Sequence, residues 1–185
     1  MRILREKFEE LEELLLHHRR QLAQSTGVPF VRLVYRPEEE QECQRKQQTL
    51  ARTLRKKGLA VEIVSCRGAI FAYYEQSGRL EQLFALEAEG TAGLTQNIAR
   101  HGAQVLKERI LQAARLLAGE GIILLTDVAF VYPYLELEPI LDACTNEIRA
   151  PMALVFFYPA EEDAAGDLRF LGQRPSSYYR ARPLV

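Results

Sequence analysis

Apolar residues open the chain in a helical rhythm. Leu4, Phe8, Leu11, Leu15 and Leu22 fall on one stripe and predict an amphipathic helix over about 3–23. A "TGVP" breaker precedes "FVRLVY", whose β-branched and aromatic content predicts a strand at about 30–35, stopped by Pro37. Pro37 suits a helix start. The helix that follows carries Glu38, Glu39, Glu40 and Glu42 at its beginning and Arg52, Arg55, Lys56 and Lys57 at its end, so both clusters complement the helix dipole. After Gly58, "LAVEIVSC" predicts a second strand at about 60–65. "GAIFAYYEQSGRLEQLFALEAEG" reads as two short helices broken at Ser77 and Gly78, and a longer helix runs from about Leu94 to Leu117. "GIILLTD" is a continuous apolar strand at about 121–126, of the kind buried on both faces of a parallel sheet. A helix over Leu135–Glu147 and a fourth strand, "MALVFFYP" at about 152–157, lead to the acidic turn "AEEDAAGD", then "LRFLG" and the tail.

Strands alternating with helices predict an α/β fold: a three-layer sandwich with a mainly parallel sheet of at least four strands, P-loop-like or Rossmann-like. With 185 residues, 48% hydrophobic and 26% charged, the expectation is a single domain over 1–185, with the N-terminal helix at one end and a C-terminal clasp over about 168–185. The net charge of −1 provides no overall field for nucleic acid or anionic lipid, so such binding would need a local patch. Cys43, Cys66 and Cys144 are far apart and form no CxxC pair, which predicts free thiols in a reducing cytoplasm. No leader pattern opens the chain, and no apolar run approaches the roughly 18 residues of a membrane span. A cytoplasmic protein without a membrane anchor is expected.

Ligands of parallel α/β sheets bind beyond the carboxyl ends of strands, which directs attention to Asp127 after "IILLT". A GxxxxGK[ST] loop is missing, as is a GxGxxG turn, so the sheet is expected without a phosphate-binding loop and no cofactor is assigned. Glu138 and Asp142, four apart on one helix face, join Asp127 as candidate ligands for a metal or nucleotide. The alternative for Asp127 is a capping or turn aspartate. His17 and His18 diverge by about 100° on a helix and cannot converge on one ion. His18 is expected part-buried on the stripe and His17 solvated. No GxSxG, HExxH or Cys/His pairing marks a catalytic residue. Arg174, Tyr178, Tyr179, Arg180 and Arg182 crowd the tail. Tyrosine and arginine are enriched where interfaces place their strongest contacts, which makes these five a candidate interaction surface. Their structural reading has the tyrosines covering the sheet edge while Arg180 and Arg182 neutralise Glu161, Glu162 or Asp163.

The run "VFFYPAEEDAAGDLRFLGQRPSSYYRARPLV", with "LLTDVAFVYPYLELEPILD" upstream, resembles the BrxB family of BREX phage-resistance systems. Members similarly carry an apolar strand, a "VYP" turn, a second strand ending in "FFPG" and a C-terminal "YYRAF". Ala160, Ser177 and Pro183 depart from that pattern. The resemblance implies a small cytosolic component of an antiviral assembly that also holds a DNA methyltransferase, a large ATPase and a PglZ-type protein. It implies no reaction of its own. The leading expectation is therefore a non-catalytic interaction subunit docking on other BREX subunits, foremost a PglZ-like protein. Two alternatives stand beside it: a degenerate nucleotide- or metal-binding enzyme using Asp127, and a subunit contacting DNA through the C-terminal arginines.

Overall fold

The chain enters its sheet through an interior strand. In the computed structural model, which describes residues 3–89, 91–163, 165, 167–175 and 180–184, β1 (Phe30–Tyr35) pairs in parallel with two strands. These are β4 (Ala153–Glu162) on one side and β7 (Arg182–Leu184) on the other. Beyond β4 lie β3 (Ile122–Thr126) and then β2 (Val61–Ser65), giving the order β2-β3-β4-β1-β7. The short strands β5 (Leu168–Phe170) and β6 (Arg174–Pro175) extend the end of β4 by antiparallel pairing. The four predicted strands stand where they were expected, with β4 running on to Glu162.

Successive strand residues point to opposite faces, so each strand feeds two cores. Val31, Leu33 and Tyr35 join Val155 and Phe157 under α1 (Leu4–His17) and α3 (Glu40–Lys56), where Leu11, Leu15 and Leu54 meet them. Phe30 and Val34 join Ile123, Leu125 and Phe156 on the other face. There α4 (Cys66–Gln76), α5 (Leu80–Glu89), α6 (Thr91–Leu116) and α7 (Leu137–Asp142) cover the sheet, with Ile70, Leu106, Ile110 and Leu141 at the contact. The result is the expected three-layer sandwich. One glycine is needed at its tightest corner: Gly121, at φ 120°, admits the chain into β3, where a Cβ would stand 2.7 Å from the Ala60 carbonyl oxygen.

Two helices are shorter than their patterns predict. α1 ends at His17, His18 leaves helical geometry at φ −120° and ψ 8°, and a 3-10 turn over Arg19–Gln21 leads to α2 (Ala23–Thr26). Leu22 still reaches the core, but the break rotates His18 off the apolar stripe. His18 is therefore exposed like His17, which corrects the expectation of a part-buried side chain. α7 stops at Asp142 rather than near Glu147, because the Thr145 hydroxyl donates to the Asp142 carbonyl at 2.8 Å and closes a turn there.

Candidate functional site

The carboxyl ends of β2 and β3 meet through two side chains. Ser65 ends β2 and caps α4: its Oγ accepts the Gly68 N–H at 2.8 Å and donates to Asp127 Oδ2 at 2.5 Å. Asp127 follows β3 with φ 54° and ψ 35°, a left-handed conformation that aspartate enters more readily than most residues. Arg67 Nη2 lies 3.9 Å from the other carboxylate oxygen, Oδ1. The candidate carboxylate is thus turned back onto β2 and the start of α4.

Beside it opens a cavity of about 260 Å³, walled by Gln44, Gln47 and Gln48 of α3 with Arg67, Thr126 and Asp127, and floored by Ile63 and Leu124. Gln47 is buried, and its side-chain amide donates to the Cys43 sulfur at 3.3 Å, a weak acceptor. The Asp127 charge is felt nearby. Burial first, and Asp127 second, push the Cys66 thiol far above its ordinary value. The Tyr35 phenol is raised by burial, by its hydrogen bond to Glu40 and by the surrounding negative charge.

The turn after β1 occupies the place where a phosphate-binding loop would present N–H groups. It is acidic instead. Pro37–Glu39 forms a 3-10 turn into α3, the Arg36 N–H donates to Glu39 Oε2 at 3.0 Å, and Tyr35 donates to Glu40. Carboxylates already compensate the positive end of this helix, and a phosphate there would meet like charge.

The structure does not bring the three predicted carboxylates into one cavity. Glu138 lines a separate pocket of about 80 Å³ with Val131, Tyr158 and Phe170. Asp142 is exposed at the end of α7. Among the described residues no group of three histidine, cysteine or carboxylate side chains gathers as a metal site. Close to Glu138 is a residue that sequence reasoning missed. Arg32 lies on the same face of β1 as Phe30 and Val34, with its guanidinium 5.4 Å from the centre of the Tyr158 ring. Burial lowers its pKa, while Tyr158 and Glu138 oppose that shift. The signal was present as the lone charge in "FVRLVY". Ser65 and Gln47 carried no comparable mark beyond a strand-to-helix junction and a glutamine-rich helix face.

At the tail, Arg182 Nη2 lies 3.9 Å from Glu10 Oε1 of α1, and Arg180 is exposed. Tyr178, Tyr179 and the side chain of Arg174 lie outside the described residues. The expected neutralisation of the acidic turn by the tail is corrected. Asp163 is taken by Arg169 Nε at 2.8 Å and by the N–H groups of Ala165 and Asp167, which together hold its carboxyl below the usual range. The turn closes on its own hairpin, and Arg182 meets the N-terminal helix.

The sheet order departs from the Rossmann order 3-2-1-4-5-6 and the flavodoxin-like order 2-1-3-4-5. With β4 between β1 and β3 and an acidic turn after β1, the class is a three-layer α/β sandwich with a mostly parallel sheet. A family model described as BREX protein BrxB matches residues 64–184. The chain belongs to the BrxB family, which places it among the components of BREX phage-defence systems and implies other BREX components as its partners. No curated protein matches the chain, and no solved structure does. Among the described residues no helix is long and apolar enough to cross a membrane.

Proposed function

We propose that this chain is a non-catalytic interaction subunit that docks on other components of a BREX assembly, with a PglZ-like protein as its first partner. The supporting observation is how the polar groups at the strand ends are used. Asp127 is engaged by Ser65 and Arg67, and the turn after β1 is closed by its own glutamates, whereas Arg180 stands exposed at the entry to β7. Exposed arginine beside tyrosine is the composition of strong interface contacts. Co-purification of the wild type, Arg180→Ala and Tyr179→Ala with the other subunits tests the reading. Loss of the PglZ-like protein from either variant is expected; full recovery in both removes the tail from the proposal.

A second reading has an observation of its own. Asp127 stands beyond the end of β3 beside the 260 Å³ cavity, the location at which a parallel sheet binds ligands. A degenerate nucleotide- or metal-binding role for Asp127 predicts binding heat and a thermal shift with ATP or GTP and magnesium. Neither signal in the wild type would end that reading.

A further inference from the structure

The two edges of the sheet are finished differently. β7 is three residues long and contains Pro183, which has no N–H to offer an incoming strand. β2 carries neither proline nor lysine, and no strand lies beyond it among the described residues. In a strand, the N–H and C=O of alternate residues turn to the same side. The Ala60 carbonyl accepts from the Ile122 N–H, so Ala60, Glu62 and Val64 face β3 while Val61, Ile63 and Ser65 face outward. Arg55 Nη2 donates to the Val61 carbonyl at 2.7 Å and guards that end. Ile63, at the centre, keeps its N–H and C=O directed outward, and the residue is 43% exposed. Leu116, 67% exposed at the end of α6, lines one shallow cavity with Ile63, Glu62, Arg109 and Gln112. Ile63 and Leu116 are two of the four large apolar side chains exposed among the described residues.

We infer that β2 pairs antiparallel with β2 of a second copy of this chain, about a two-fold axis at Ile63, so that two sheets join into one. A two-fold interface must be its own complement, and this edge meets that condition twice. Ile63 offers one donor and one acceptor, so Ile63 of each copy exchanges both bonds with the other. Glu62 and Arg109 lie on the same side of the sheet with opposite charge, and the axis carries Glu62 of one copy toward Arg109 of the other. That axis also keeps both α6 helices on one face, with Leu116 of each copy beside the seam, while the two Ile63 side chains lie on the α3 face with Val61 and meet each other across it. Arg55 and Arg67 flank the strand and limit the pairing to its centre, which leaves Ile63 and Leu116 to supply the buried apolar area.

Sedimentation velocity of the full chain, from low to high micromolar concentration, tests the inference. The wild type is expected to dimerise. Ile63→Lys, which installs the charge that natural edges use as a guard, is expected to be monomeric with an unchanged circular dichroism spectrum. Glu62→Arg is expected to weaken dimerisation at least tenfold, and adding Arg109→Glu to restore it; this pair decides the question should Ile63→Lys fail to fold. A wild type that stays monomeric throughout overturns the inference, as does a dimer indifferent to Ile63→Lys and Glu62→Arg. An edge that pairs only when another BREX subunit is added belongs to that subunit and overturns self-pairing as well.

Discussion

Residues 64–184, which the family model covers, and residues 1–63 before them hold different places in one structure. The covered segment supplies β3, β4 and β7 and the helices α4 to α7 on one face. The preceding residues supply α1 and α3 on the opposite face, the first three of the five residues of β2, and β1. Yet β1 lies between β4 and β7, so the covered segment by itself has a gap inside its sheet, between those two strands. Being recognisable and being central are therefore separate properties. A tail such as "YYRAR" is identified by particular side chains, whereas "FVRLVY" can serve as a core strand with many combinations of apolar residues at the right alternation.

Removing residues 1–36 attacks this difference most directly. It deletes β1 and α1, leaves β7 without its neighbour, and uncovers Val155 and Phe157. Leu11, Leu15, Phe30, Val31 and Leu33 are lost from the core together, and each buried side chain of this kind contributes about 1.5–3 kcal/mol. Their sum reaches the whole stability of a typical domain, roughly 5–15 kcal/mol. The truncated protein is expected to lose its near-ultraviolet circular dichroism and its cooperative melting. A sharp thermal transition in the truncated chain would show that the covered segment folds alone.

The three cysteines report on the two parts separately. Cys43 belongs to α3, while Cys66 and Cys144 belong to the covered segment, and all three are buried. Burial pushes the Cys43 thiol up to about 12 and the Cys144 thiol up to about 11, and raises Cys66 further still. Since the thiolate is the reactive form, a thiol with a pKa near 12 labels at mildly alkaline pH roughly a thousandfold more slowly than an ordinary one. These raised values also set a sign for stability. Above about pH 8.5 the unfolded thiols ionise while the folded ones stay neutral, so stability falls as pH rises toward the folded values. In a urea series with an aromatic disulfide reagent, all three are expected to react together at the global transition, because both faces share one sheet. Reaction of Cys43 well before Cys66 and Cys144 would divide the molecule into two unfolding units.

What the sequence made legible follows from the range of the interactions involved. β3 and β4 are apolar over nearly their whole length, so "IILLT" and "ALVFF" announce buried parallel strands, and Asp127 could be singled out by its position after one of them. Its partner could not. Ser65 lies 62 residues away and reaches Asp127 only because β2 and β3 run in register, with Ser65 beside Thr126. Lys7 similarly looks like a polar position on an amphipathic helix, yet it is fully buried and its Nζ donates to the Val34 carbonyl 27 residues on. The pairing of Arg182 with Glu10 joins the two ends of the chain and has no local signature either.

Lys7 offers the next test of how the preceding residues hold the sheet. Its ammonium donates to the last carbonyl but one of β1 at 2.8 Å from within α1, and so ties the covering helix to the central strand. Lys7→Ala withdraws that donor from a buried carbonyl, at a cost of about 1–3 kcal/mol in urea unfolding. Lys7→Met retains the apolar stem and is expected to lie between the alanine variant and the wild type. An alanine variant as stable as the wild type would mean that α1 is held by its leucines alone.

The smallest expected effect concerns the link between the tail and α1. Arg182 and Glu10 are 44% and 34% exposed and 3.9 Å apart, a geometry for which ion pairs contribute about 0–1 kcal/mol and weaken with salt. Arg182→Ala and Glu10→Ala are each expected to shift the urea midpoint slightly, with a coupling in the double variant that fades as sodium chloride is raised. The same strand lies in parallel register with β1 from Arg182 to Leu184, and Leu184 is buried in the core of that face. Backbone pairing and Leu184 therefore hold the tail, while the ion pair fixes its register over α1. A coupling well above that range, insensitive to salt, would reverse this order and make the two ends of the chain an electrostatic clasp.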